Sequence, residues 1–353
     1  MIDVHVHLRD GAQSEKETLL HGMMTAARLG VTALFDMPNT VPPLTSEGAV
    51  TERLEAGRTA VQQVAQVTGT SLFYGVYGGV TADSRQLEAI VSLYRSLSPA
   101  MVGLKLFAGH STGNMGLTLY EEQLRVYQLL AQFGYTGVLA VHCEKESLMR
   151  TQLWDPAKPE SHGHVRPAEA EIASVADQIK AVRETGFSGT LHICHISTAG
   201  AIDLVDRART HGVQITCGAT SHHALLNDSV AGTPGHLCKM NPPLRDESDR
   251  AAVFSALLDG RVDWIESDHA PHTLADKAAG ASGIPGFAGT ALLIRSLRRA
   301  GLPEAHLRRL CGERALQVFA MDLPVSVPSD AHLGAVLPEL RDAYPWDPFS
   351  SVQ

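Results

Sequence analysis

Short apolar and β-branched runs recur along the chain at Ile2 to His7, Thr32 to Met37, Ser71 to Val76, Val102 to Phe107, Val138 to His142, Thr190 to His195, Val213 to Cys217 and Val262 to Ser267. Each has the length of a buried strand. Between them lie longer stretches with apolar positions at helical spacing: Lys16 to Leu29, Ser46 to Val67, Tyr120 to Phe133, Pro167 to Glu184, Ala199 to His211 and Asp249 to Leu258. Two helix starts carry terminal signals. Thr118, three residues before Glu121, reads as a capping box, and Pro167 suits a first helical turn. Alternation of this kind predicts an α/β fold, a closed parallel (β/α)8 TIM barrel more than an open doubly wound sheet. An open nucleotide-binding sheet would show a Gly-x-Gly-x-x-Gly loop after its first strand, and Leu8-Arg9-Asp10-Gly11 is not one. The barrel is expected over residues 1–320, ending in helices at about Pro303 to Ala320. The Pro-rich stretch 321–353 is expected to be an irregular tail packed on the barrel, with no flanking β-sandwich legible on either side.

A barrel of this type presents its chemistry at the C-terminal ends of its strands. Polar residues break the apolar runs at just those ends: His5 and His7 in the first, Asn39 after the second, Lys105 in the fourth, His142 and His195 closing the fifth and sixth, and Asp268 after the eighth. His5 and His7 share one face of a strand, with Val4, Val6 and Leu8 on the other, so both imidazoles can reach one ion. Singly, each residue has an ordinary explanation: a snorkelling lysine, a hydrogen-bonded core histidine, a helix-capping aspartate. Jointly, convergence on one barrel mouth is better explained by a metal site. Four histidines, one carboxylate and one lysine exceed the needs of a single tetrahedral zinc and suit two ions ~3.5–4 Å apart. The lysine fits if its neutral amine adds carbon dioxide to become a bridging carbamate. Asp268 would then ligate one ion and take the proton of a metal-bridging hydroxide, which makes hydrolysis of an amide or related bond the reaction class.

Composition removes several alternatives. The 353 residues carry a formal net charge of -9 and no basic run, against a nucleic-acid partner. No stretch reaches the ~18 apolar residues of a membrane span, and no signal peptide is legible. Five cysteines without a Cys-x-x-Cys pair read as reduced packing thiols of a cytoplasmic protein. The glycine-rich run Ala108 to Gly116 is expected to be a mobile lid. Gly283 to Gly289 is expected to line the pocket through its backbone. Trp154 to Arg166, with His162 and His164, reads as an inserted loop near the mouth without an assigned role.

Together Asp3-Val4-His5-Val6-His7-Leu8-Arg9-Asp10-Gly11, Met37-Pro38-Asn39-Thr40, Gly103-Leu104-Lys105, Val141-His142-Cys143-Glu144, His192-Ile193-Cys194-His195 and Ser267-Asp268-His269-Ala270-Pro271-His272-Thr273 resemble the dihydroorotases of the amidohydrolase superfamily. The likeness runs from residue 2 to about 320 with motif order and spacing kept. It implies two Zn2+ ions, one held by His5, His7, carboxylated Lys105 and Asp268, the other by Lys105, His142 and His195. It also implies reversible cyclisation of N-carbamoyl-L-aspartate to L-dihydroorotate in pyrimidine biosynthesis. Arg9 offers a planar fork for the substrate carboxylate, although a surface pair with Asp10 would also account for it. By resemblance Asn39 and His272 share that recognition, Asn241 in Lys239-Met240-Asn241-Pro242-Pro243 contacts the ring, Pro285 lines the pocket, and Thr112, with Ser111, supplies lid hydroxyls to catalysis and binding. His269 is expected to be a neighbour of the chemistry without a direct role. Two rival readings stay open: an allantoinase- or hydantoinase-like enzyme, which needs no carboxylate fork, and a non-catalytic subunit that scaffolds aspartate transcarbamoylase. A homodimer is the base-rate expectation for a soluble enzyme.

Overall fold

The computed structural model describes residues 1–111, 114–232 and 235–352. Eight parallel strands follow one another around a barrel in chain order: β1 (Ile2–Val6), β2 (Ala33–Asp36), β3 (Phe73–Gly79), β4 (Met101–Ala108), β5 (Val138–Cys143), β6 (Thr190–Ile193), β7 (Ile215–Ala219) and β8 (Trp264–Ile265). The chain beyond β8 returns to β1. His269 bridges Val6 in parallel, and the His7 amide donates to the His269 carbonyl at 2.7 Å. Each run expected to be a strand forms one, because every strand is buried on both faces and so tolerates an unbroken apolar sequence. A two-residue strand, Gly116–Leu117, adds to the end of β4.

The outer layer comprises α1 (Leu19–Leu29), α2 (Glu47–Thr68), α3 (Ser84–Leu97), α4 (Tyr120–Gln132), α5 (Ala168–Thr185), α6 (Ala199–Thr210), α7 (Glu247–Leu258) and α8 (Phe287–Arg299). Thr18, Ser46, Asp83, Thr198 and Asp246 cap their helices by accepting a backbone N–H. The capping box expected at Thr118 does not form: α4 begins one residue later, with Leu119 as its cap, which leaves Glu121 too early to reach back. Among the described residues, no helix is long and apolar enough to cross a membrane. Inside the barrel, Val4, Phe35, Tyr77, Val102 and Trp264 form a plug sealed by Leu316 and Phe319, so the mouth opens at one end only.

The tail differs from the irregular strap that its prolines suggest. It contains α9 (Asp330–Asp342), capped by Ser329, which buries Leu333 and Leu340 against α1 and α8 and accommodates Pro338. Beyond it, Phe349 is buried against Gly289, where a Cβ would lie 2.1 Å from the ring.

Tyr344 ties this tail to the active face. Its hydroxyl donates to Glu17 Oε1 at 2.5 Å, and the same carboxylate oxygen lies 3.1 Å from His269 Nε2. The Gly286 amide donates to His269 Nδ1, so the proton of the imidazole sits on Nε2 and points at Glu17. Burial alone would push the Glu17 carboxyl up; His269 and hydrogen bonds from His21, His269 and Tyr344 outweigh it and hold the group at about 2. A folded-state pKa below the ordinary 4.5 stabilises the fold above that value, and the contribution disappears as pH falls towards 2. Glu17→Gln is therefore expected to lower unfolding free energy at pH 7 by about 3 kcal/mol. The deficit against the wild type should shrink between pH 4.5 and 2, read by denaturant unfolding across that range. An unchanged midpoint at pH 7 would contradict it.

Candidate active site

The site grows from the tops of β1, β4, β5, β6 and β8. On β1, His5 and His7 both face inward. His5 Nε2 lies 3.3 Å from His7 Nε2, and Asp268 Oδ1 is 3.4 Å from the first and 3.0 Å from the second. Across the cavity, His142 Nδ1 and His195 Nε2 are 3.2 Å apart. Lys105 is fully buried on β4 and points its Nζ at Cys194 Sγ, 3.0 Å away.

These spacings test whether a metal fits. Tetrahedral coordination at ~2.0–2.1 Å sets neighbouring ligand atoms roughly 3.3 Å apart. Both donor groups have that edge length, and acceptor-type atoms that face one another in this way gain little without a cation between them. His195 Nδ1 is moreover buried with no hydrogen-bond partner. His142 Nε2 lies 2.9 Å from Glu144 Oε2 without the in-line geometry of a hydrogen bond. Burial, chiefly, lowers the pKa of His7, His142 and His195 and favours their neutral imidazoles, whereas at His5 burial and Lys105 are outweighed by Cys194 and Glu266, which raise it to about 10. His5, His7 and Asp268 thus form a group that could hold a cation, and His142, His195 and Lys105 line the same cavity.

Backbone conformation points the same way. His195 (φ 36°) and Asp268 (φ 46°) both adopt the left-handed region, which is unfavourable for a side chain bearing a Cβ. Such outliers cost of order 1–3 kcal/mol and persist where the surroundings enforce them.

Arg9 is placed by a clamp beneath it. Arg53 Nη2 donates to the Leu8 carbonyl at 2.5 Å and to Asp36 Oδ2 at 2.6 Å, while Asp36 Oδ1 accepts the Leu8 amide at 3.0 Å. The Arg9 guanidinium is buried; Nε donates to the Pro271 carbonyl at 3.2 Å and Nη2 lies 3.4 Å from His272 Nε2. It has no pair with Asp10 of the kind a surface arginine would form. Asn39 Oδ1 accepts from His7 Nδ1 at 2.7 Å, which turns His7 Nε2 towards the cavity.

These groups line one cavity, together with Asn241, Ser111 and Gly283. His272 stands behind Arg9 and is not on the cavity wall. Pro285 is buried outside the lining, and its loop reaches the cavity through Ser282 and Gly283 instead. Thr112 lies outside the described residues.

Two site residues were missed from the sequence. Cys194, read as packing, lies among His5, His192 and Lys105; burial opposes its ionisation, but Lys105 and His5 draw it down to about 5. Glu266 is fully buried, with Oε1 3.5 Å from His5 Nδ1 and Oε2 3.1 Å from His192 Nε2, and it accepts the His195 amide. The available signal was an acid inside the apolar run of the last strand. Phe107, Met240, Ala270 and Ser282 line the cavity and were likewise unanticipated; Phe107 and Met240 carry no signal beyond hydrophobicity.

No protein-family model matches the chain. Among curated proteins, it is 34% identical over 281 residues to a dihydroorotase of Pediococcus pentosaceus, covering 79% of this chain and 61% of that protein. It is 33% identical over 350 residues to a dihydroorotase of Halobacterium salinarum, covering 97% and 76%. Its fold resembles that of the L-hydantoinase (dihydropyrimidinase) of Arthrobacter aurescens, with a TM-score of 0.78 at 21% identity over 94% of this chain and 73% of that one. The structural likeness establishes a shared barrel architecture, and the sequence likeness, sustained over nearly the whole chain, narrows it: this chain belongs to the dihydroorotase family.

Proposed function

We propose that the chain is a dihydroorotase, interconverting N-carbamoyl-L-aspartate and L-dihydroorotate for pyrimidine biosynthesis. The observation that carries this reading is the buried Arg9 guanidinium beside two zinc-type donor groups in one cavity. A cyclic amide hydrolase needs the donor groups; a substrate with a free carboxylate also needs the fork.

His5, His7 and Asp268 would hold one Zn2+, His142 and His195 the other, and carboxylated Lys105 would bridge them. When bound, the ions lower the pKa of water and polarise the scissile carbonyl. Arg9 binds the ring carboxylate and, with Asn39 and Asn241, fixes the ring plane. In hydrolysis the water oxygen adds to the ring carbonyl carbon, and the C–N bond breaks. Asp268 takes the proton from water on its Oδ2 and returns it to the departing amide nitrogen. Cyclisation runs these steps backwards, with water leaving. Ser111, on the cavity wall, would offer its hydroxyl to the substrate. The five cysteines are all buried and unpaired, which supports a reducing cytoplasm as the working compartment.

The test is metal analysis combined with a dihydroorotate hydrolysis assay on wild type and Arg9→Ala. We expect about two equivalents of zinc in both proteins, turnover in the wild type, and kcat/KM lower by roughly 30- to 1,000-fold in Arg9→Ala, as for loss of a buried charge-assisted contact. Zinc without dihydroorotate turnover would favour a hydantoinase-like activity. Neither zinc nor turnover would leave a scaffolding role.

A further inference from the structure

The inserted segment Trp154 to Arg166 packs behind the cavity wall, where His162 touches the wall residues Met240 and Asn241. His162, from the short helix Ser161–Val165, is 7% exposed, and its Nε2 lies 3.0 Å from the Met240 carbonyl oxygen and 3.0 Å from Asn241 Oδ1. A backbone carbonyl can only accept, so His162 Nε2 carries a proton. The Asn241 atom that shares this proton must then be its oxygen, whichever way the amide might otherwise be turned. The Asn241 Nδ2 has no hydrogen-bond partner among the described residues, and Asn241 lines the cavity.

We propose that His162 is a positioning residue for recognition, locking Asn241 so that it presents N–H donors to the cavity and selects a ring carbonyl oxygen over a ring N–H at that position. This rests on the dihydroorotase reading and deepens it by one specificity element.

The surroundings make the lock rigid. The Trp154 indole meets the His162 ring edge-on at 5.9 Å, and Lys239 Nζ sits 5.0 Å from the Trp154 ring centroid while donating to the Gly280 carbonyl at 2.7 Å and Ser282 Oγ at 2.8 Å. Lys277, buried behind them, donates from Nζ to the carbonyls of Lys239, Ala281 and Gly283 at 2.7, 3.0 and 2.8 Å. These bonds hold the backbone just before Met240 and so restrain its carbonyl. Burial, reinforced by the positive charges of Lys239 and Arg166, holds His162 at about 3, so it stays neutral with a single N–H.

The test compares His162→Phe, which keeps a ring and removes the donor, with His162→Gln, whose side-chain amide can place an N–H near the Nε2 position. His162→Phe is expected to raise KM for dihydroorotate ~10-fold or more while kcat stays within about twofold and zinc content is unchanged. His162→Gln should lie within about threefold of wild type. Equal impairment in both variants, or a fall in kcat at constant KM, would overturn the proposal. A readout free of turnover is 15N NMR of histidine-labelled protein, with His162→Phe supplying the assignment. It should show the Nε2–H form, and an Nδ1–H form overturns the lock. If the wild type fails to turn over dihydroorotate while Nε2–H is observed, the substrate reading fails and the His162–Asn241 lock stands.

Discussion

Lys105→Ala is expected to reduce kcat/KM for dihydroorotate by on the order of 10⁴-fold, with zinc falling below one equivalent per chain. The reason is positional. Lys105 is fully buried and lines the same cavity as His5, His7, Asp268, His142 and His195. Among the described residues lining the cavity, only its side chain can acquire, by adding carbon dioxide, an anionic carboxylate able to bridge two cations. Two controls separate that role from simple packing. Lys105→Arg should be as inactive as the alanine variant, because a guanidinium does not form the carbamate. Millimolar acetate or propionate should recover part of the alanine variant's activity, since a short carboxylate can occupy the vacated space. Two bound zinc ions and near-normal turnover in Lys105→Ala would remove the bridge from the mechanism.

Asp268→Asn should lower kcat by about 10²–10⁴-fold, the usual worth of a positioned proton carrier, with little change in KM. The substitution keeps shape and one ligand oxygen but cannot take up the proton. Its contact with His7 and the neighbouring His5 and His222, working against burial, hold the Asp268 carboxyl below the usual range, so it is ionised and ready to accept. Asparagine also tolerates the left-handed φ of 46° at this position, so the backbone there need not change. A fall in kcat of less than tenfold would mean that another group carries the proton.

Strand positions and most helices were readable because barrel strands buried on both faces are short apolar runs, and the intervening helices carry one apolar stripe. The donor residues were readable for a related reason: a histidine, lysine or aspartate in such a run has no solvent to face and so advertises itself. Glu266 satisfies the same rule and was overlooked because Asp268, two positions on, already explained the polarity of that strand end. Cys194 was less legible, since a buried thiol looks like any small apolar residue until its neighbours are known. The tail helix Asp330–Asp342 was hidden by prolines on its flanks and one within it. His162 shows a third limit. Its partners Met240 and Asn241 lie nearly eighty positions away, and no local pattern reveals such a pairing.

The seam of the barrel gives the two halves of the site different origins. His142 and His195 stand at the tops of β5 and β6, neighbours in the middle of the sheet, and they would meet even if the sheet were open. His5 and His7 meet Asp268 only where β1 closes on the chain beyond β8, through the His7–His269 hydrogen bond. An ion bound at the His5–His7–Asp268 group would therefore be coupled to the free energy of closing the barrel, and would act as a rivet for the fold as well as a reagent.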